Sequence, residues 1–278
     1  CRRTCRKRRD KMIRSANPNQ GSLRILPWVI PAVSVGVWVM VSEMELLPPY
    51  LLPHPTQVFN AGYLYIFGTP GEGMYTGRFL PDVRASLVRV AFGFGLATLV
   101  GIPLGVLSGR LQACRRLLST PVNALRAVPG ICWLPLALVW FGIGLKTTVF
   151  LVALAAFFPI YLNCASGIRQ VDPILLEAGA MMGVNRIRGT FSILLPSAMP
   201  HIIPGLRLGL GISWAYLVLG ELTGVRQGLG AVIMDARMVG RIDTIIVGII
   251  LIAVIGRLSD TLLYFLMKCF FKSARRLS

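Results

Sequence analysis

Side chains that commonly make and break bonds are scarce and scattered in this chain. His54 and His201 stand in separate stretches, and neither belongs to a Ser–His–Asp or paired-carboxylate arrangement. The six cysteines are Cys1, Cys5, Cys114, Cys132, Cys164 and Cys269. Cys1-x3-Cys5 has no His or further Cys beside it to complete a metal site. No Gly-x4-Gly-Lys-Ser/Thr occurs, so ATP phosphates find no cradle of that kind. Catalysis, a resident metal and a bound cofactor are not expected. Two features remain that could act on a partner or a solute: a short capped helix and a set of charges in apolar sequence.

The helix is written in Asp172-Pro173-Ile174-Leu175-Leu176-Glu177-Ala178-Gly179-Ala180-Met181-Met182-Gly183. Asp172 suits the N-cap and Pro173 the first helical position. Leu175, Ala178 and Met182 then share one face, and Gly183 can end the helix. Such a face needs an apolar partner. The lipid surface, the chain's own helices and a groove on another protein all qualify, and spacing alone does not choose among them.

The charges are Arg89, Arg126, Arg207, Glu221, Arg257 and Asp260, in or at the edges of apolar segments. An unpartnered charge at mid-membrane costs about 2.5–3.5 kcal/mol on insertion scales. Arg257 and Asp260, three apart, can pair on one helix face. Arg126 and Arg207 each sit near an end of a segment, where they either snorkel to the interface or attract an anion near an inner gate. Glu221 caps a turn, pairs with Arg226 or lines an outer vestibule, where it would repel an anion. Trp133, Trp140 and Trp214 either line a path or belong to an interfacial belt.

The elements that hold these residues follow from composition. Of the 278 residues, 55% are hydrophobic and 14% charged, against about 25% charged in a soluble domain. So little polar surface predicts an all-α integral membrane protein. Six windows are long enough to span, roughly 26–42, 86–108, 121–142, 147–164, 203–221 and 245–267. Pro129 and Pro135 break the third, while Pro196, Pro200 and Pro204 delay the helix that becomes the fifth. Gly93, Ala97, Gly101, Gly105 and Gly109 recur every four residues, and Gly205, Gly209 and Ser213 repeat the device. Both stripes let another helix approach closely. No internal repeat of the kind seen in many secondary transporters is visible.

Loop charges set the orientation. Nine Lys/Arg precede residue 25, and the net charge is +18. A basic block in front of an apolar segment meets anionic lipid and fixes topology; it is not a nucleic-acid site. The 43–85 and 222–244 loops carry acids, whereas 109–120, 165–202 and the tail are basic; Lys146 alone dissents. Both termini are therefore expected in the cytoplasm. The expected layout is a basic tail over 1–24, a transmembrane domain over 25–270 with an internal loop over 165–202, and a basic tail over 271–278. The opening Cys1 points to an altered or truncated start rather than a lipid-modified cysteine, since no apolar signal precedes it.

Glu177-Ala178-x4-Gly183, nine residues, then Ile193-x-Leu195-Pro196 resembles the cytoplasmic loop signature of ABC importer permeases. Leu52 to Val58, Arg126 to Pro129, Trp133 to Leu136, Trp140 to Gly144, Pro204 to Gly211 and Glu221 to Gly230 resemble the nitrate/sulfonate/bicarbonate branch, its taurine and aliphatic-sulfonate permeases most. The likeness runs over about residues 47–268 and leaves the basic N-terminus unmatched. It implies the permease fold, with Glu177, Ala178, Gly179, Met182 and Gly183 in a coupling helix that docks on an ABC ATPase dimer. Family members usually have Ala where Gly179 stands. ATP and Mg would then be bound by that partner and not by this chain. It further implies a second permease copy, most simply as a homodimer, a periplasmic or lipid-anchored substrate-binding protein, an inner-membrane location and a small anion as cargo. Arg126, Trp133, Trp140, Arg207, Ser213, Trp214 and Glu221 are the expected path residues. A permease of the same family for a neutral vitamin precursor and an ion-coupled secondary transporter are the alternatives. The missing catalytic cluster disfavours a membrane-embedded enzyme.

Overall fold

The computed structural model describes residues 22–44, 48, 51–69 and 73–270. Residues 1–21 with Cys1 and Cys5, Glu45, Glu72 and the 271–278 tail lie outside the described residues. The chain divides into two compact units at Phe59 and Asn60. In the first, helix α1 (Ser22–Glu43) is apolar over Val29–Glu43, and Trp38 Nε1 donates to the Pro53 carbonyl at 3.3 Å. Helix α2 (Pro55–Phe67) begins there and continues into the second unit.

The second unit is a helical bundle around α6 (Leu145–Arg169). Helix α3 (Phe79–Arg110) lies parallel to it, and their contact is the glycine stripe. A Cβ added at Gly93, Gly101, Gly105 or Gly109 would come within 2.6 to 3.1 Å of Val152, Ile160, Cys164 and Ile168 in turn. Helix α9 (Leu195–Glu221) runs antiparallel on the other flank. There a Cβ added at Gly209 would come within 3.0 Å of the same Ile160, one at Gly220 within 2.9 Å of Thr148, and one at Gly167 of α6 within 2.6 Å of His201 Cβ. Small residues thus bring both backbones against α6, where dispersion rather than water exclusion holds helices together in lipid. Gly105→Leu is expected to lower stability by about 1–3 kcal/mol or more through overpacking. Gly95→Leu, at a site with nothing within 4 Å, is the control. Unfolding in mild detergent reads both, and equal midpoints would refute the interlock.

Helix α4 (Gln112–Ala127) follows α3 after a sharp turn, then bends by 84° into a 3-10 turn (Gly130–Cys132) and α5 (Trp133–Phe141). Pro129 makes the bend. Pro135 does not, because it is the third residue of α5, where a backbone N–H has no helical partner to lose. After α6 come α7 (Pro173–Met181), α8 (Arg186–Gly189) and a π-turn (Thr190–Leu194) that passes directly into α9. Helix α10 (Leu229–Val239) and the long α11 (Ile242–Phe270) complete the described residues.

Among the described residues, four helical stretches are long and apolar enough to cross a membrane, at Phe79–Arg110, Leu145–Arg169, Arg186–Glu221 and Ile242–Cys269. The bent pair α4–α5 adds a fifth if it forms one span, and the first expected window rests on the shorter apolar stretch of α1. Several boundaries differ from expectation, α4 starting nine residues before the third window, and two of the differences have a clear local cause. The α3 helix starts seven residues earlier than its apolar window, because its first turns are polar yet buried through Asp82, Ser86 and Arg89. The α9 helix is not delayed by its prolines: Pro196 lies in the first turn, and Pro200 and Pro204 follow at four-residue spacing inside regular helix. That spacing puts the lost hydrogen bonds on one side, so the other side stays continuous. The expected 165–202 and 222–244 loops are accordingly mostly helical.

Candidate functional site

The bundle brings three groups of candidate residues into view. The first is α7. Asp172 Oδ1 accepts from the Ile174 N–H at 3.0 Å, and Pro173 fills the first turn. The other end closes with Val184 N–H donating to the Gly179 carbonyl at 3.0 Å and Gly183 N–H to the Ala180 carbonyl at 3.0 Å. This double bond needs a left-handed residue, supplied by Gly183 at φ +79°. Leu176 packs on the core beside Leu194, and Gly179 is buried under Ile193. The Ile193 side chain occupies the place where a methyl at Gly179 would sit, so an alanine here would force Ile193 to move.

The remaining face of α7 is bare. Ile174, Leu175, Glu177, Ala178, Met181 and Met182 are exposed, Met181 at 88% and Met182 at 76%. Leu175, Ala178 and Met182 do share that face, as their spacing predicts. A capped helix with its apolar side uncovered has the form of a docking element.

The second group lines a cavity of about 500 Å3 where the α4–α5 bend faces α6 and α9. Arg126 and Trp133 stand on its rim with Phe158, Asn163, Ile212 and Tyr216. Tyr216 lies over Gly130 so closely that a Cβ there would overlap its phenol ring. Asn163 Nδ2 donates to the Pro159 carbonyl at 2.8 Å. Among the described residues, Arg126 has no carboxylate partner. The cavity is therefore apolar and aromatic with one free cation, the form that takes an anionic head and an organic tail.

The other expected path residues do not join it. Trp140 is on the far end of α5, exposed beside Phe141 and Phe150. Arg207 faces α11, held by both oxygens of Asp260 at 2.8 and 2.7 Å and lying 5.3 Å over the Tyr264 ring. The Arg257–Asp260 contact is present at 3.4 Å but secondary to it. Ser213 is buried and donates to its own helix at Gly209, and Trp214 Nε1 donates to Ser259 Oγ at 2.9 Å.

Glu221 belongs to a third group, buried where α3, α9 and α10 meet. It is fully buried and pairs with Arg89 at 2.6 Å, not with Arg226. Its Oε1 also accepts from Ser86 at 2.7 Å, and Oε2 from the Gly230 N–H at 2.8 Å, capping α10. Arg89 donates further to the Gln227 carbonyl at 2.7 Å. Asp82 Oδ1 accepts from the Gly228 N–H, and Tyr65 donates to Oδ2, both at 3.0 Å. Burial, with the Asp82 charge beside it, holds the Tyr65 phenol above its ordinary pKa. Gly228 sits at φ +144° with its α-carbon against the Glu221 carboxylate, where a side chain has no room. Asp82, expected as a loop charge, and Tyr65 and Ser86 carry this knot without having been singled out. Their signal was present: Asp82, Ser86, Arg89 and Gly93 recur at helical spacing, so the polar face runs straight into the glycine stripe.

Comparison with known proteins agrees with this architecture. Residues 101–276 match the family model described as binding-protein-dependent transport system inner membrane component. The chain is 34% identical over 229 residues to the taurine transport system permease protein of Escherichia coli, covering 82% of each. It is 33% identical over 243 residues to the nitrate import permease protein of Synechocystis, covering 87% of each. A chain of the MetNI methionine ABC transporter in an inward-facing conformation has the same fold, with a TM-score of 0.55 and 22% identity over 66% of this chain and 94% of that one.

Proposed function

Because the chain belongs to the family of binding-protein-dependent transport system inner membrane components, we propose that it forms the path of an importer for small anions of the sulfonate or nitrate class, driven through α7. As an ABC transporter permease it is a transport subunit and not an enzyme, and it works with a separate ATPase and a substrate-binding protein. ATP and Mg belong on that ATPase.

The observation that carries the docking role is the bare apolar face of a helix capped at both ends. Without a partner, that face has no reason to be held so firmly. Two copies of the chain supply one coupling helix to each ATPase subunit, and their apolar outer faces meet each other and lipid. The parallel run of α3 and α6 puts Arg110, Arg115, Arg116 and Arg169 at the end that carries α7. That basic end faces the cytoplasm by the positive-inside rule, and both termini go with it.

The substrate class rests on Arg126 in its aromatic cavity, and on relatives that carry taurine and nitrate. Taurine ends in a sulfonate, which a guanidinium can hold bidentately. Vesicles containing the chain, its ATPase and its binding protein are expected to take up taurine or a short alkanesulfonate when ATP is supplied. Arg126→Gln is expected to cut that uptake about tenfold or more, the worth of one charge-assisted contact, while the subunits still assemble. Undiminished uptake by the variant would remove Arg126 from the path. Uphill uptake on an ion gradient without the ATPase would overturn the whole reading.

A further inference from the structure

A second cavity, of about 350 Å3, opens between α3, α4 and α6 at the end of the bundle that carries α7. Its polar lining is Ser108, Arg115, Ser119, Asn123, Tyr161 and Arg169. The inner wall is a buried polar pair: Tyr161 OH donates to Ser108 Oγ at 2.8 Å, at 3% and 2% exposure. That bond leaves the Ser108 proton unspent. Among the described residues, Ser119, Asn123, Arg115 and Arg169 make no side-chain hydrogen bond or ion pair either. With the Tyr161 proton spent on Ser108, the other five side chains can donate, and no carboxylate lines the cavity. Val122, Leu162 and Ala165 supply an apolar side.

Arg115 and Arg169 are both exposed on one cleft with no acid between them, and an anion bound there would relieve their mutual repulsion. A face meant only for water would not need a buried tyrosine and serine behind it. We propose that this cleft binds a single oxyanion group with a short apolar tail, a sulfonate or a phosphate, clamped between Arg115 and Arg169 with Ser108, Ser119 and Asn123 donating to its remaining oxygens. The tail lies against Val122 and Leu162. The same chemistry is offered by a free solute and by an anionic lipid headgroup. The site is distinct from the Arg126 cavity, since the two share only Leu162.

The test uses the full chain in nanodiscs with a fluorine label on Cys114, the residue before Arg115, and the other cysteines replaced. Ethanesulfonate, sulfate and inorganic phosphate are titrated in phosphatidylcholine discs, with chloride at matched ionic strength as control. A saturable shift absent with chloride is expected. R115Q/R169Q should weaken it by about tenfold or more. S119A/N123A keeps both charges and should weaken it about threefold or more, which guards against a misfolded double arginine variant. If the shift appears only in discs containing phosphatidylglycerol and is lost in R115Q/R169Q, the occupant is a lipid headgroup and the site stands. A shift that chloride reproduces, or that both variants retain at full strength, overturns it, as does the absence of any shift with solute or lipid.

Discussion

Replacing Glu177 with Arg is expected to abolish substrate-stimulated ATP hydrolysis while leaving the chain in the membrane at normal levels. Glu177 is exposed in the middle of α7, with Leu175, Ala178, Met181 and Met182 around it. Among the described residues it makes no ion pair, so folding does not depend on it. At a docked surface the same change sets one sign of charge where the other was accommodated. Misplaced charge at an interface costs several kcal/mol, enough to empty a complex of ordinary affinity. Met182→Asp attacks the same contact through its apolar side and should behave alike. Co-purification of the ATPase with each variant separates failed docking from failed signalling. Normal stimulation by both variants would leave α7 with no coupling role.

The second large effect is expected at the buried knot. Glu221→Ala removes the partner of Arg89 and strands the Ser86 hydroxyl and the Gly230 N–H together. Breaking a buried pair from one side costs about 3–5 kcal/mol, because an uncompensated charge is left behind. Arg89→Met leaves the opposite charge and should cost a similar amount. The informative variant is the double one, Arg89→Met with Glu221→Leu, which leaves neither charge. It is expected to lose less than the two single variants added together, a coupling that a double-mutant cycle of detergent unfolding measures. Strict additivity would show that the two side chains act independently, against the 2.6 Å contact.

The parts that could be read in advance are those governed by one chain segment at a time. The caps of α7 follow from Asp172, Pro173 and Gly183, and all three sit where local geometry wants them. The four-residue stripe from Gly93 to Gly109 announces a close neighbour, although it does not say that α6 is the neighbour. Side chains whose partners lie far along the chain were not legible in this way. Glu221 and Arg89 are 132 residues apart, and Arg207 and Asp260 are 53 apart. Nothing local tells an arginine that pairs, such as Arg207, from one that has no carboxylate partner among the described residues, such as Arg126. Proline misled at α9 because its effect depends on what the neighbouring helices leave open, and the two prolines inside the helix, Pro200 and Pro204, interrupt only one side of it.

The two glycine-lined flanks of α6 have a mechanical consequence. A rod clamped by one neighbour running with it and another running against it can neither slide nor roll without forcing a methyl group into a backbone. Asp172 begins α7 three residues past the end of that rod. If α7 docks as proposed, a push delivered there meets little slack along α6 and is passed toward the opposite end, where Thr148 packs against Gly220. Compliance is available instead at the exposed elbow of Val128 and Pro129, where the chain bends by 84° between α4 and α5. That elbow sits on the wall of the Arg126 cavity, so bending there would reshape the space that the proposed path assigns to a solute.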